Sequence, residues 1–509
     1  MFQRQNMAAV GSSTAEKYEI PTIKSKDKME SADDTSRGET TDTESSEPEI
    51  ATDKKALWIA SFVMLIAAIE NTVVGMSEWP YMNQIDKEAD AQFFGVATAA
   101  SKLFHAVSAL VFAVWCHRYQ TFQTPLIAGR LIAFGACLLY LCVEMFTDGR
   151  RYVMAFCYIL FGVASSSSTI LRAYVAAIST HADRPLAYSG LQAATMLSII
   201  IGPIIQAVFS AIEYPGYQLI HNVKFHIYSA PVWVAAGTNF ISIAIIRFAL
   251  KELPRRAKKQ MKKNQSFFTI TGVRARIEKV SHMEINWRIV VLCWLQKMNA
   301  TLSVVTLTTM TSVILMTNYG LSGNKTVIAM SLTMLVVGLF AVGITALYFF
   351  CHLGRHLQQR YAFLFGLIIF MSMYFFTYPW PQVSNPVPLY NATADVGCNP
   401  EAYSWCDTSY APAFPLLLAV IAVVMGIGIP LSNVALDAIY SKMLGSINQS
   451  VMQGAMIVAE DVILILGPIY SSGMYTYYGF ESLWMWNGII VAIGSVLWVA
   501  HLRRLAQYS

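Results

Sequence analysis

The stretch GVASSSSTILRAYVAA (Gly162–Ala177) sits inside an apolar run, Met154 to Ile178, whose only charged residue is Arg172. Twenty-odd apolar residues are enough for a helix to cross a bilayer. Yet this run holds four consecutive serines, a threonine and an arginine. A charge at the bilayer centre costs at least ~2.5–3.5 kcal/mol, so such a residue faces a bundle interior or a wet cavity. A spanning helix with this content belongs to a polytopic bundle with a polar interior.

The rest of the chain agrees. Of 509 residues, 55% are hydrophobic and only 13% charged, and the mean hydropathy is +0.47. Soluble domains carry about 25% charged residues. Apolar blocks recur from Leu57 onward. Residues 1–53, with SADDTSRGETTDTESSEPEIATD, are too polar to bury a core and read as a disordered cytosolic tail without the apolar segment of a signal peptide.

Polar breaks divide the chain into twelve expected helices: 56–78, 91–115, 124–146, 152–178, 186–210 and 229–250, then 288–314, 326–350, 361–378, 412–440, 450–472 and 482–501. The domain plan is a six-helix bundle over 54–250, a basic linker over 251–287, a second bundle over 288–502 with a long loop at 379–411, and a short end at 503–509. One side of this plan collects nine Lys and Arg plus eleven from 251–288, against five on the other: Lys87, Arg150, Arg151, Lys224 and Lys325. The positive-inside rule puts both termini and the linker in the cytosol. The linker's LPRRAKKQMKKNQ is also suited to anionic lipid heads.

The halves echo each other. WCHRYQTFQ from Trp115 resembles FCHLGRHLQ from Phe350, and Gly202-Pro203 recurs as Gly467-Pro468. Six plus six helices with a cytosolic joint is the layout of transporters built from parallel repeats. The strings SEWPYMNQID (Ser77–Asp86), LRAY (Leu171–Tyr174), YSKMLG (Tyr440–Gly445) and CNPEAYSWC (Cys398–Cys406) resemble a lysosomal branch of the major facilitator superfamily. The resemblance covers all twelve helices. It implies an all-α fold of two pseudo-symmetric bundles in an endolysosomal membrane, and a chloride-conducting role. The loop AVWCHRYQTFQTP lacks the Gly and Asp usual in that superfamily.

Polar groups at membrane depth are the candidate transport machinery. Arg172, with Ser165, Ser168 and Thr169, is expected on the substrate pathway, together with Lys102 and His105, which share a face at spacing three. Lys297 and Asn299 belong to a helix rich in Ser and Thr, WLQKMNATLSVVTLTTMTS, expected to line the same cavity. Arg130 is expected to snorkel to the cytosolic surface. Glu70, Glu460 and Asp461 are candidates for proton coupling, with Glu70 beside Lys102. Arg172 and Asp437 occupy equivalent positions in the two halves and are expected to form a cytosolic gate. Gly202, Pro203, Gly467 and Pro468 are expected to kink their helices.

In the long loop, Cys398 and Cys406 are expected to form a disulfide, and Asn391 heads a glycosylation sequon. No nucleotide-binding loop, catalytic triad or metal-ligand spacing is present in the sequence, so no enzyme activity, cofactor or nucleic-acid partner is expected. The favoured function is a carrier for a small anion or organic anion. A chloride-permeable channel and a non-transporting receptor or scaffold are the alternatives.

Overall fold

The computed structural model describes residues 52–180, 183–220, 223–252, 286–350, 357–391, 395–444 and 449–507. The expected tail, most of the linker and the last two residues lie outside them.

The first half contains α1 (Lys54–Ile85), α2 (Ala91–Tyr119), α3 (Gln123–Leu141), α4 (Arg150–Ile178), α5 (Arg184–Val208) and α6 (Ala230–Phe248). The second half contains α7 (Trp287–Thr317), α8 (Gly323–Phe350), α9 (Gln359–Phe376) and α10 (Phe414–Leu444). It ends in one continuous helical segment, Gln449–Leu505. A straight helix of that length would run roughly 85 Å, far beyond a hydrocarbon core of about 30 Å. It turns back at Gly479 (φ 80°, ψ −179°), so α11 (449–478) and α12 (480–505) are two spans. That makes the expected twelve, with a kink where a loop at 473–481 was expected. Likewise α1 runs to Ile85 rather than 78, with Pro80 inside it.

Local chemistry starts these helices. The Asp53 carboxylate accepts from the Lys55 and Ala56 amides at 3.1 Å, and Asp90 accepts from Phe93 at 2.7 Å, filling orphan donors at the two N-termini. The serine run disturbs α4 at Ser166. Ser165, Ser166 and Ser168 each donate to the carbonyl three residues back, at 2.8, 2.6 and 2.8 Å, a habit that bends helices. In α10 a π-helical turn covers Val424–Gly428, just before Pro430, which has no amide hydrogen to give residue 426.

The core has three parts. One draws on both halves, joining Trp79, Tyr81, Tyr140 and Tyr228 to Met310, Tyr374, Trp405 and Tyr475. It lies at the end that bears the long loop. The other two lie at the end that bears Lys54 and Leu505, and they do not mix. One takes Ala60, Phe122, Tyr174 and Ile246 from the first half; the other takes Ile289, Phe363, Tyr440 and Trp498 from the second. The halves therefore share a core at the loop end and keep separate cores at the termini end.

The long loop reaches across that shared end. Its strands β3 (Asn385–Pro386) and β4 (Tyr410–Ala411) pair antiparallel, while β1 (Tyr217–Ile220) and β2 (Val223–Phe225) form a hairpin in the first half. Cys398 and Cys406 are bonded, as expected. Asp395 pairs with Lys87 of the opposite half at 2.5 Å. Asn391 is exposed, while Ala392 and Thr393 of its sequon lie outside the described residues.

Candidate functional site

A cavity of about 170 Å³ opens within the first half, among α1, α3, α4 and α5. Asn71, Thr72, Ser165, Ser168, Thr195 and Ser198 supply its polar lining, together with Arg130. Arg130 does not snorkel, which corrects the sequence-based expectation. Its side chain is only 4% exposed and Nη1 lies 3.2 Å from Glu70 Oε2, itself 6% exposed. Nη1 also donates to Asn239 Oδ1 at 3.3 Å, and Nη2 to Ser167 Oγ at 2.7 Å. Four helices thus meet on one planar guanidinium, whose rigid fork suits several acceptors at once. Glu70 is matched by Arg130, not by Lys102 as expected.

Ser165 and Ser168 reach the cavity as expected; Thr169 is exposed and is not part of the lining. His105 Nδ1 lies 2.8 Å from Ser165 Oγ, which ties α2 to the cavity wall. Lys102, one turn away on the same face, is exposed and has neither a hydrogen bond nor an ion pair among the described residues. The charge that reaches it comes from Glu78 of α1, a carboxylate the sequence reading passed over. Arg172 is exposed and equally unpartnered among the described residues. Spacings of three and four residues put Ser165, Ser168 and Arg172 on one face of α4, so the guanidinium continues the cavity wall towards the termini end.

The second half is built around Lys297. Its Nζ lies 3.3 Å from Glu460 Oε2 of α11 and donates to Asn433 Oδ1 of α10 at 3.1 Å. Asp437, one turn beyond Asn433, is exposed, has no hydrogen bond or ion pair among the described residues, and feels the charges of Lys297 and Glu460. The expected Arg172–Asp437 contact is therefore absent in this structure, where the two halves keep separate cores at that end. Asp461 is half-buried and unpaired among the described residues.

Other polar groups on α7 turn to neighbouring helices, or, as Ser303 and Thr308 do, donate to a carbonyl of their own helix. Gln296 donates to the Gly494 carbonyl at 2.7 Å, Thr306 meets Ser471 at 2.8 Å, and Asn299 is buried against Gly494 of α12. Asn299 is two residues from Lys297, so the two point to opposite sides of the helix.

Pro203 and Pro468 both lie inside continuous helices. Their glycine partners serve close packing. A side chain at Gly202 would collide with Thr72 of α1, and one at Gly467 would come within 2.9 Å of Val305 of α7. The same pair of helices touches in each half.

At the loop end, outside the spans, Glu144 is buried under the β1–β2 hairpin. Lys224 Nζ lies 2.7 Å from one carboxylate oxygen, while His226 Nε2 at 3.2 Å and Tyr81 Oη at 3.3 Å share the other. Burial pushes the carboxyl up, but the bonds from His226 and Lys224 outweigh it and hold Glu144 below its usual range.

Sequence motifs could have pointed to part of this arrangement. Thr195 and Ser198 stand at spacing three on α5, and Asn239 and Asn433 are lone amides in apolar helices. Nothing local says which of them meet.

Two six-helix halves around a polar interior define a membrane carrier fold. The sequence profile of the Major Facilitator Superfamily matches residues 59–397, and the chain belongs to that superfamily. It is a multi-pass membrane protein and a transporter, not an enzyme. It is similar to major facilitator superfamily domain-containing protein 8 of Xenopus laevis, 24% identical over 477 residues, covering 88% of this chain and 90% of the relative. Solved structures share the fold. A D-xylose-proton symporter superposes with a TM-score of 0.59 at 11% identity, over 87% of this chain and 96% of the other. The nucleoside transporter NupG gives 0.54 at 12%, over 89% and 100%. An inward-open xylose transporter XylE of E. coli gives 0.57 at 10%, over 87% and 94%.

Proposed function

We propose that the protein is a secondary transporter of the endolysosomal membrane that moves a small organic anion by alternating access. The observation that carries this reading is Arg172. Of the cations at the two polar sites, Arg130 and Lys297 are each neutralised by a carboxylate within 3.3 Å, whereas, among the described residues, Lys102 on α2 and Arg172 on α4 are not. Arg172 has no such partner and stands on the serine face of α4, one turn beyond the cavity. A guanidinium so placed offers a forked contact to a carboxylate.

The separate cores at the termini end support a carrier open on that side. The positive-inside rule makes that side the cytosol. The charge asymmetry is sharper than a count suggests, because Lys87, Arg151 and Lys224 on the other side are all in ion pairs. The sequence strings that resemble a lysosomal branch of the superfamily favour the lysosome.

Closing the cytosolic side brings Arg172 to Asp437, since each stands one turn beyond its half's polar site, at Ser168 and Asn433. Proton coupling runs through Lys297–Glu460 rather than Glu70–Arg130. Glu460 is 32% exposed, so a proton reaches it, whereas Glu70 is sealed. Asp461, unpaired beside Glu460, is the second coupling group.

Metabolite profiling of lysosomes with and without the protein identifies the cargo. Its counterflow in proteoliposomes should be lost in Arg172→Asp and in Asp437→Arg and substantially restored in the double swap. Absence of rescue would sink the gate, and an accumulated cargo without a negative charge would sink the anion assignment.

A further inference from the structure

The hydroxyls of the cavity have already committed their protons. Thr72 Oγ1 donates to the Ile69 carbonyl at 2.9 Å, Ser165 Oγ to Gly162 at 2.8 Å, and Ser168 Oγ to Ser165 at 2.8 Å. Across the cavity, Thr195 Oγ1 donates to Leu191 at 3.1 Å and Ser198 Oγ to Thr195 at 2.7 Å. A hydroxyl has one proton and two lone pairs. With every proton turned back on the main chain, these five oxygens show the cavity lone pairs, one of those on Ser165 being taken by the His105 ring nitrogen at 2.8 Å. Arg130 adds little to offset this, because Glu70, Asn239 and Ser167 already occupy it. The Asn71 amide, exposed and unbonded among the described residues, offers both donor and acceptor.

We infer that this cavity selects small organic acids that carry hydroxyl or ammonium donors beside the carboxylate, and discriminates against chloride and against plain fatty acids. The inference rests on the anion reading above and narrows it. A halide is a pure acceptor, so each hydroxyl it recruits must first abandon a carbonyl, and the net gain is small. A solute with its own O–H or N–H groups is accepted by the lining as it stands. Its carboxylate has a partner in Arg172, one turn along the wall from Ser168. Size sets the limit at the other end. A cavity of about 170 Å³ is close to the ~150 Å³ that holds a benzene molecule, which admits a solute of three or four carbons.

Four organic probes and one ion separate the requirements. D-glycerate and L-serine have donors and a carboxylate, butyrate has the carboxylate alone, glycerol has donors alone, and chloride has neither donors nor carbon. Binding is read as thermal stabilisation and as titration calorimetry of the full-length protein in detergent or nanodiscs. Glycerate or serine should bind about tenfold or more tighter than butyrate and chloride, as expected when two or three ordinary hydrogen bonds are lost. Arg172→Ala should remove the binding of the favoured acid. The double variant Ser168→Ala/Ser198→Ala, small in volume and checked for folding by gel filtration, should weaken glycerate or serine while leaving butyrate unchanged. Butyrate or chloride binding as tightly as the donor-bearing acids, with dependence on Arg172, overturns this inference and leaves an anion carrier standing. Glycerol binding as well as glycerate, indifferent to Arg172→Ala, overturns the anion reading itself. Failure of both glycerate and serine to bind overturns the selectivity proposed here.

Discussion

Arg130 and Glu70 meet at 3.2 Å in the interior of the first half, each almost sealed from solvent. In the second half, Lys297 and Glu460 meet at 3.3 Å, and Glu460 remains reachable. Each pair is anchored on the first helix of its half, α1 or α7, but their burial differs. One pair is sealed among packed helices, while the other keeps its carboxylate open to solvent.

Breaking the sealed pair from one side should be costly. Arg130→Leu strands the Glu70 carboxylate and should destabilise the protein by about 3–5 kcal/mol, against a smaller loss in Arg130→Leu/Glu70→Leu. Arg130→Lys should not restore stability, because an ammonium cannot span Glu70, Asn239 and Ser167 together. Thermal melts of the purified variants measure both effects.

The reachable pair should govern coupling. Glu460→Gln should leave counterflow intact and abolish accumulation driven by a proton gradient. Glu70→Gln should instead lower the yield of folded protein without changing the gradient dependence of what folds. Uptake with and without an imposed pH gradient separates the two.

Glu144 makes stability depend on acid. Its folded value lies below the unfolded reference of 4.5, so its contribution is present above that reference and is lost as pH falls through the folded value. Melting temperature should fall below about pH 4.5 in the wild type, and that slope should flatten in Glu144→Gln. Scans between about pH 3 and 6 test it.

Gly479 should not tolerate a side chain. Its φ of 80° and ψ of −179° fall in a region open to glycine, and an added Cβ would sit 2.9 Å from the Trp405 indole. Gly479→Ala should cost about 1–3 kcal/mol and loosen the loop against the α11–α12 turn, seen as faster proteolysis within 379–411.

Much of the fold was legible because hydropathy and net charge are properties of short stretches of chain. Apolar runs set the spans, and the count of twelve survived even where α11 and α12 turned out to be joined without a loop. Asp53 and Asp90 mark two helix starts in the sequence itself. The Gly-Pro pairs disclosed the repeat, although what they do, which is to let α5 approach α1 and α11 approach α7, needed the packed helices. The site was less legible. Asn299 was grouped with Lys297 because the two are neighbours in the chain, and helix geometry sends them apart. Glu78 lay within a quoted string and still went unremarked as a charge.

Arg130 and Arg172 show where the division falls. In the sequence they are alike, each a lone arginine in an apolar helix near the end that bears the termini. That a cation there needs a polar environment follows from the sequence, because hydrocarbon solvates neither. Which one is neutralised is a matter of tertiary structure. Coulomb energy depends on separation and burial, and Glu70 lies 60 residues from Arg130 along the chain but 3.2 Å away in space. The rotation of four packed helices closes that distance and leaves Arg172 facing open space.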